Sequence, residues 1–369
     1  MRLVYLICIL SIASSVSSAQ NFTAQQARNT PLSWKDSASL HFEFSNTNFF
    51  KNNEYSNEIL NGYTLFGFNA TPKFTYYLSK NTKITGGANF LKYFGEETFH
   101  EIKPVFRVQQ NFSPNLSLII GTIHNSNCHG LIKPLYHPEL LITDPTEYGL
   151  QFLFQNRRFN IDLWLDWQRF ITNKSDFQEE FITGLNAETQ LLSQSAPLEL
   201  FIPLQTVIEH KGGQIGEQDK PISTIANTAI GVGAKIPIRS DKNYLQLKQF
   251  VSGYHKITNK NEAPYNKGVG FYSRLNVRIH SFDLNFGYWQ GSKYLSIAGD
   301  PIYQSYSLKK DEKLPKRKML EAGLQYSQRF PFAKFMANFT GIYDLLDGNS
   351  DYYIGLYLYV DLDRIILKP

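Results

Sequence analysis

A histidine and a serine stand two residues apart in an otherwise apolar stretch, as His124-Asn125-Ser126. On an extended chain residues i and i+2 share a face, so the imidazole lies within reach of the hydroxyl and could activate it as a nucleophile. Such a pair needs a third group to orient the imidazole. His124 and Ser126 share parity with Leu116, Leu118 and Ile120, so they are expected to face the same apolar medium as those side chains. The simpler alternative is a polar strand end with no reaction to perform. His124, His129, His137, Glu139 and Asp144 crowd the same region, but their spacing matches no recognised metal site. Neither a metal nor a cofactor is expected.

The second chemistry is charge. Lys235, Lys248, Arg274 and Arg278 gather on three neighbouring strand-like segments, and Lys103 and Arg107 add to them from another. Asp162, Asp166, Glu199, Asp283 and Asp361 lie elsewhere. Facing one water-filled space, these groups would set up a transverse field favouring polar or anionic solutes. Alternatively they are hydrated wall residues, paired where convenient.

The elements that would position these residues repeat one pattern, aliphatic then polar. In 352–363 one parity reads Ile354, Leu356, Leu358, Val360, Leu362, and the other Tyr353, Gly355, Tyr357, Tyr359, Asp361, Asp363. Such a strand has one apolar and one polar face. Ile161, Leu163, Leu165 and Trp167 alternate in the same way with Asp162, Trp164, Asp166 and Gln168. Alternation between turn signals gives about sixteen strands. They fall at 38–46, 59–79, 83–95, 98–112, 115–126, 146–157, 159–171, 179–193, 197–211, 223–238, 243–257, 268–280, 281–296, 317–329, 333–345 and 351–363. Many are longer than typical globular strands and suit a tilted span of a bilayer. Connections alternate short and long, which a soluble sandwich has no reason to do.

The chain opens with Arg2, an apolar run from Leu3 to Ile12 and small residues ending at Ser17-Ser18-Ala19, the pattern of a secretory leader. Cleavage is expected after Ala19, leaving Gln20–Ser37 as a short periplasmic segment before a single unit from 38 to 369. Only Cys128 would survive cleavage, so no disulfide framework is expected. Aromatics make up 15% of the chain while mean hydropathy is only −0.30, which suits ringed girdles around a wet interior. A net charge of +5, spread along the chain, gives no support for nucleic-acid binding.

Together these features resemble the porin-like outer-membrane β-barrels of Gram-negative bacteria. The fold expected is all-β, one antiparallel transmembrane barrel with short periplasmic turns and long extracellular loops. By the same resemblance the apolar loop from Asn127 to Pro145 would fold inward, with Leu131, Leu135, Tyr136 and Leu140 narrowing the lumen. It could instead cap the rim or dock a surface lipoprotein. His124-Asn125-Ser126-Asn127 is locally similar to the His-x-Ser-Asn stretch of outer-membrane phospholipase A, and lipid A deacylases use a similar pair. That resemblance implies a lipid-ester hydrolase on the barrel wall, with Glu139 as the orienting acid. Cys128-His129 replaces the phospholipase's Gly-Arg, and its orienting Asn has no counterpart here. Three functions therefore remain: a channel for small polar or anionic solutes, a non-conducting barrel acting as anchor or partner of a surface lipoprotein, and a hydrolase of outer-membrane lipid. By the porin resemblance the barrel could also form a homo-oligomer.

Overall fold

The computed structural model describes residues 37–124, 129–192, 196–213, 221–258 and 263–368. The expected leader, the expected N-terminal segment up to 36, Ser126 and Cys128 lie outside these residues. Sixteen strands form one closed antiparallel barrel. In chain order they begin with β1 (Leu40–Glu54), β2 (Tyr63–Tyr77), β3 (Thr82–Tyr93), β4 (Glu101–Ser113), β5 (Leu116–Thr122) and β6 (Tyr148–Gln155). There follow β7 (Phe159–Arg169), β8 (Glu180–Gln190), β9 (Glu199–Lys211), β10 (Ser223–Ile238), β11 (Ser240–Lys256), β12 (Lys267–Ile279) and β13 (Phe282–Ser292). A small hairpin, β14 (Tyr306–Ser307) and β15 (Glu312–Lys313), interrupts a loop before β16 (Lys316–Arg329), β17 (Ala333–Asp344) and β18 (Ser350–Leu367). β18 pairs with β1 and closes the ring, so no edge remains to template aggregation.

The two faces sort as the alternation predicts. Along β7, Asp162 and Trp164 are buried while Leu163 is 44% exposed to the surroundings of the barrel. Phe106, Ile230, Val251 and Leu356 likewise point outward, where lipid takes the place of a core. Periplasmic turns are tight. His280 at φ 53° opens the two-residue turn between β12 and β13, and Arg239 at φ 58° joins β10 to β11. Such left-handed corners match the twist of the strands they join.

Two of the boundaries that differ from the sequence reading bear on the site. β1 continues through Asn46–Glu54, an Asn-rich run that reads as loop. Its Lys51 and Asn53 face inward and are buried, and the whole run pairs in register with 352–360 of β18. Tertiary pairing here overrides weak strand propensity. β5, expected to reach 126, ends at Thr122, because Gly121 adopts φ 96°. A Cβ at that position would meet the Phe106 carbonyl oxygen at 2.2 Å. The chain bends inward there, and the two-residue alternation ends.

Candidate functional site: a lumen crossed by its own loop

Beyond Gly121 the chain enters the barrel. Arg107 holds the entry, donating from Nε to the Thr122 carbonyl at 2.5 Å and from Nη2 to that of Ile123 at 2.8 Å. His129 is then fully buried, with Nδ1 2.9 Å from Asp162 and Nε2 2.8 Å from Glu147. Its ring stacks on Trp164 at 3.6 Å between centroids. Burial alone would lower the His129 pKa, but the charges of Glu147 and Asp162 outweigh it and raise the pKa to about 9. The imidazolium is thus the favoured form, set between two carboxylates and an indole face.

From there the segment crosses to the opposite wall. Lys133 forms an ion pair with Glu321 on β16 and lies 3.0 Å from the Tyr353 hydroxyl on β18. Glu139 pairs with Lys51 on β1 and accepts from the Tyr63 hydroxyl of β2 at 2.6 Å. Burial would raise the Glu139 pKa, yet Lys51 holds it below the usual carboxylate range. A short helix, α1 (Leu140–Thr143), follows directly. Lys103 receives the end of the segment, 2.6 Å from Asp144. Leu135 and Tyr136 are buried against the inward faces of the far strands, in a cluster with Phe250, Tyr272 and Trp289, and Leu131 and Leu140 pack at its edge. A second loop, after β13, closes over the first. Asp300 N donates to the Lys133 carbonyl at 2.9 Å, and Trp289 Nε1 to that of Tyr303 at 2.9 Å.

Beneath this crossing lies a cavity of about 960 Å³. Ten of its lining residues are Lys or Arg and five are Asp or Glu, so the space is net cationic. Lys73, Lys83, Arg329 and Lys334 line it near the periplasmic strand ends, and Lys51, Glu139 and Tyr353 near the crossing loop. Arg107, Lys248, Arg274 and Arg278 also reach it. Asp361 lines it as well, whereas other charges expected in the lumen are placed differently. Asp162 and Asp166 are buried beneath the loop, where Asp162 accepts from His129 and from Gln151, and Asp166 from the Tyr148 amide at 2.9 Å. Lys235 is 2.8 Å from Glu199, and Arg278 makes two 2.6 Å bonds to Asp283. The segregated field expected from sequence is therefore cancelled at those two rungs.

His124 lines the same cavity and does not face lipid, because the bend at Gly121 reverses the parity on which that expectation rested. Glu139 is held by Lys51, Tyr63 and Asn53 on the β1–β2 wall. Sequence reasoning missed Lys51, Lys133 and Glu321, whose pairings span 88 and 188 residues. No local pattern marks such contacts. The apolar content of the loop was the only hint that it seeks burial.

A closed barrel with a lipid-facing apolar band, short turns at one end, long loops at the other and a wet interior crossed by one loop defines a porin-like outer-membrane barrel. The family model described as lipid A 3'-O-deacylase-type matches residues 32–369, and the chain belongs to that family. Among solved structures the fold is similar to the outer membrane protein OprD from Pseudomonas aeruginosa. That match has 10% identity over 88% of this chain and 94% of that one, with a TM-score of 0.50. It is also similar to Pseudomonas aeruginosa OccD3, at 9% identity over 95% and 98% of the two chains, with a TM-score of 0.52. No curated protein sequence matches the chain.

Proposed function

We propose that the barrel admits small polar and anionic solutes into its lumen and passes them along a path narrowed by the 129–147 segment. The observation that carries this reading is the cationic cavity beneath that segment, in which Lys and Arg outnumber Asp and Glu two to one. A wet interior with fixed positive charge concentrates anions and excludes cations. The test is the reversal potential of the folded chain in a planar bilayer under a salt gradient. The current should be small and anion-selective, and Lys83→Glu with Lys334→Glu should move the reversal potential toward cation selectivity. Silence from protein shown to be folded sinks the reading. The loop's apolar residues, which suggested a docking face for a lipoprotein, are turned inward, so that alternative loses its motive.

Family membership favours a second reading, hydrolysis of an ester in a lipid A-type lipid. Its residues would be Ser126, His124 and Glu139, although His124 and Glu139 sit on the lumenal side. Incubation with lipid A and detection of released fatty acid by mass spectrometry tests it. Activity lost in Ser126→Ala would establish the reading, and no release from the wild-type chain would end it.

A further inference from the structure

The four basic residues on β10–β12 look alike in sequence but differ in their partners. Lys235 and Arg278 each meet a carboxylate. Lys248 and Arg274 do not: among the described residues no Asp or Glu lies within 4 Å of either. Yet they sit directly opposite one another, Lys248 on β11 in register with Arg274 on β12. Both side chains point into the cavity. Like charges on directly opposed strand positions repel, and cross-strand pairs of this kind are normally avoided. Glu321 lines the same cavity but is taken by Lys133 and by the Tyr303 hydroxyl at 2.7 Å.

The surroundings hold the two cations in place without neutralising them. Arg274 donates from Nε to Asn276 at 3.3 Å, from Nη2 to Asn285 at 3.0 Å and from Nη1 to the Tyr272 hydroxyl at 3.3 Å. Neutral acceptors fix its plane, and Glu321, already paired with Lys133, attracts its charge only from beyond ion-pair distance. The Lys248 ammonium lies 5.2 Å from the centre of the Phe201 ring, a partner without net charge, and Glu188 attracts it only from beyond ion-pair distance. Gln246 and Asn276, in register on the next inward rung, put amide groups beside the pair.

We infer that Lys248 and Arg274 form an oxyanion site on the lumen wall, which takes a carboxylate or phosphate group. This deepens the solute reading above and rests on the cavity being accessible to water. An arriving oxyanion would remove the like-charge repulsion and meet an ammonium, a guanidinium fork and two amides. The group could belong to a free solute or to a lipid headgroup.

The test is calorimetric titration of the full chain, folded in zwitterionic detergent, with inorganic phosphate and separately with micelles doped with a phosphatidate lipid. Wild-type protein should bind phosphate, and Lys248→Met and Arg274→Gln should each weaken binding roughly ten- to a hundredfold, as loss of a charge-assisted hydrogen bond implies. Arg274→Lys, which keeps the charge, should retain part of the affinity. Lys235→Met, which removes a cation already paired with Glu199, should change it little. Without ligand, Lys248→Met should unfold at a temperature no lower than wild type, since it relieves repulsion; a merely structural lysine would lower it. Absence of binding in the wild type, or equal binding in all variants, overturns the site. Phosphatidate binding lost in the same variants supports the site with a headgroup as its source, and binding of free phosphate alone supports it with a soluble source. Binding without bilayer current leaves the site standing and rejects the channel, while anion current with no phosphate binding does the reverse.

Discussion

Raising the pH should unseat the 129–147 segment, and His129 sets where this happens. The folded barrel raises its pKa from 6.5 to about 9, so folding of this segment favours the protonated ring. The resulting stabilisation is complete below about pH 6.5, declines as pH rises and is lost above about 9. At about 1.4 kcal/mol per pH unit this amounts to about 3 kcal/mol, or on the order of a hundredfold in the ratio of seated to unseated loop. The loss is local, because Asp162 and Glu147 would then face a neutral ring in a buried site. Amide hydrogen exchange across 129–147, corrected for the intrinsic pH dependence of exchange, should report protection that falls between pH 6.5 and 9.5 while the barrel strands stay protected. Bilayer current should rise over the same range as the crossing loosens. His129→Gln should be loose throughout and show no such transition. Equal protection at pH 6 and pH 10 in the wild type, or an unchanged transition in His129→Gln, would refute the reasoning.

Two further outcomes follow from packing. Gly184 on β8 lies beneath the indole of Trp164, and a Cβ there would come within 2.0 Å of its ring. Gly184→Ala should therefore displace Trp164 and its stacked His129, destabilise the folded protein by about 1–3 kcal/mol and lower the temperature at which folded barrel migration is lost on gels. Ile230 stands mid-strand on the outer face of β10 with 56% of its surface exposed. Ile230→Arg should cost about 2–4 kcal/mol in denaturant unfolding from lipid vesicles, and a cost near zero would show that this face does not meet hydrocarbon.

The barrel was largely legible because each strand states its own two faces. On β7 and β18 the alternation of aliphatic and polar residues, together with long spans and loops sorted by end, is enough to call a tilted membrane-spanning strand. Where the local signal failed, its physical reason is clear. The Asn-rich half of β1 has weak strand propensity and is held by its ladder to β18. The bend at Gly121 depends on a single positive φ, and alternation cannot foresee that such a residue will reverse the assignments that follow it on the same segment, including that of His124.

What the sequence by itself determined was the solvent of each face: apolar residues toward lipid, charged residues toward water, and an apolar loop too costly to leave exposed. Only the tertiary structure decided where that loop would find its partners and which cations would be neutralised. Arg278 and Asp283 meet across a two-residue turn, five positions apart, whereas Lys133 and Glu321 are brought together across 188 residues. Closure of the ring and strand register set these distances, and Coulomb energy depends on distance and local dielectric, not on order along the chain. Lys248 and Arg274 were therefore chemically visible from the start, but that no Asp or Glu among the described residues pairs with them became visible only when the strands were paired.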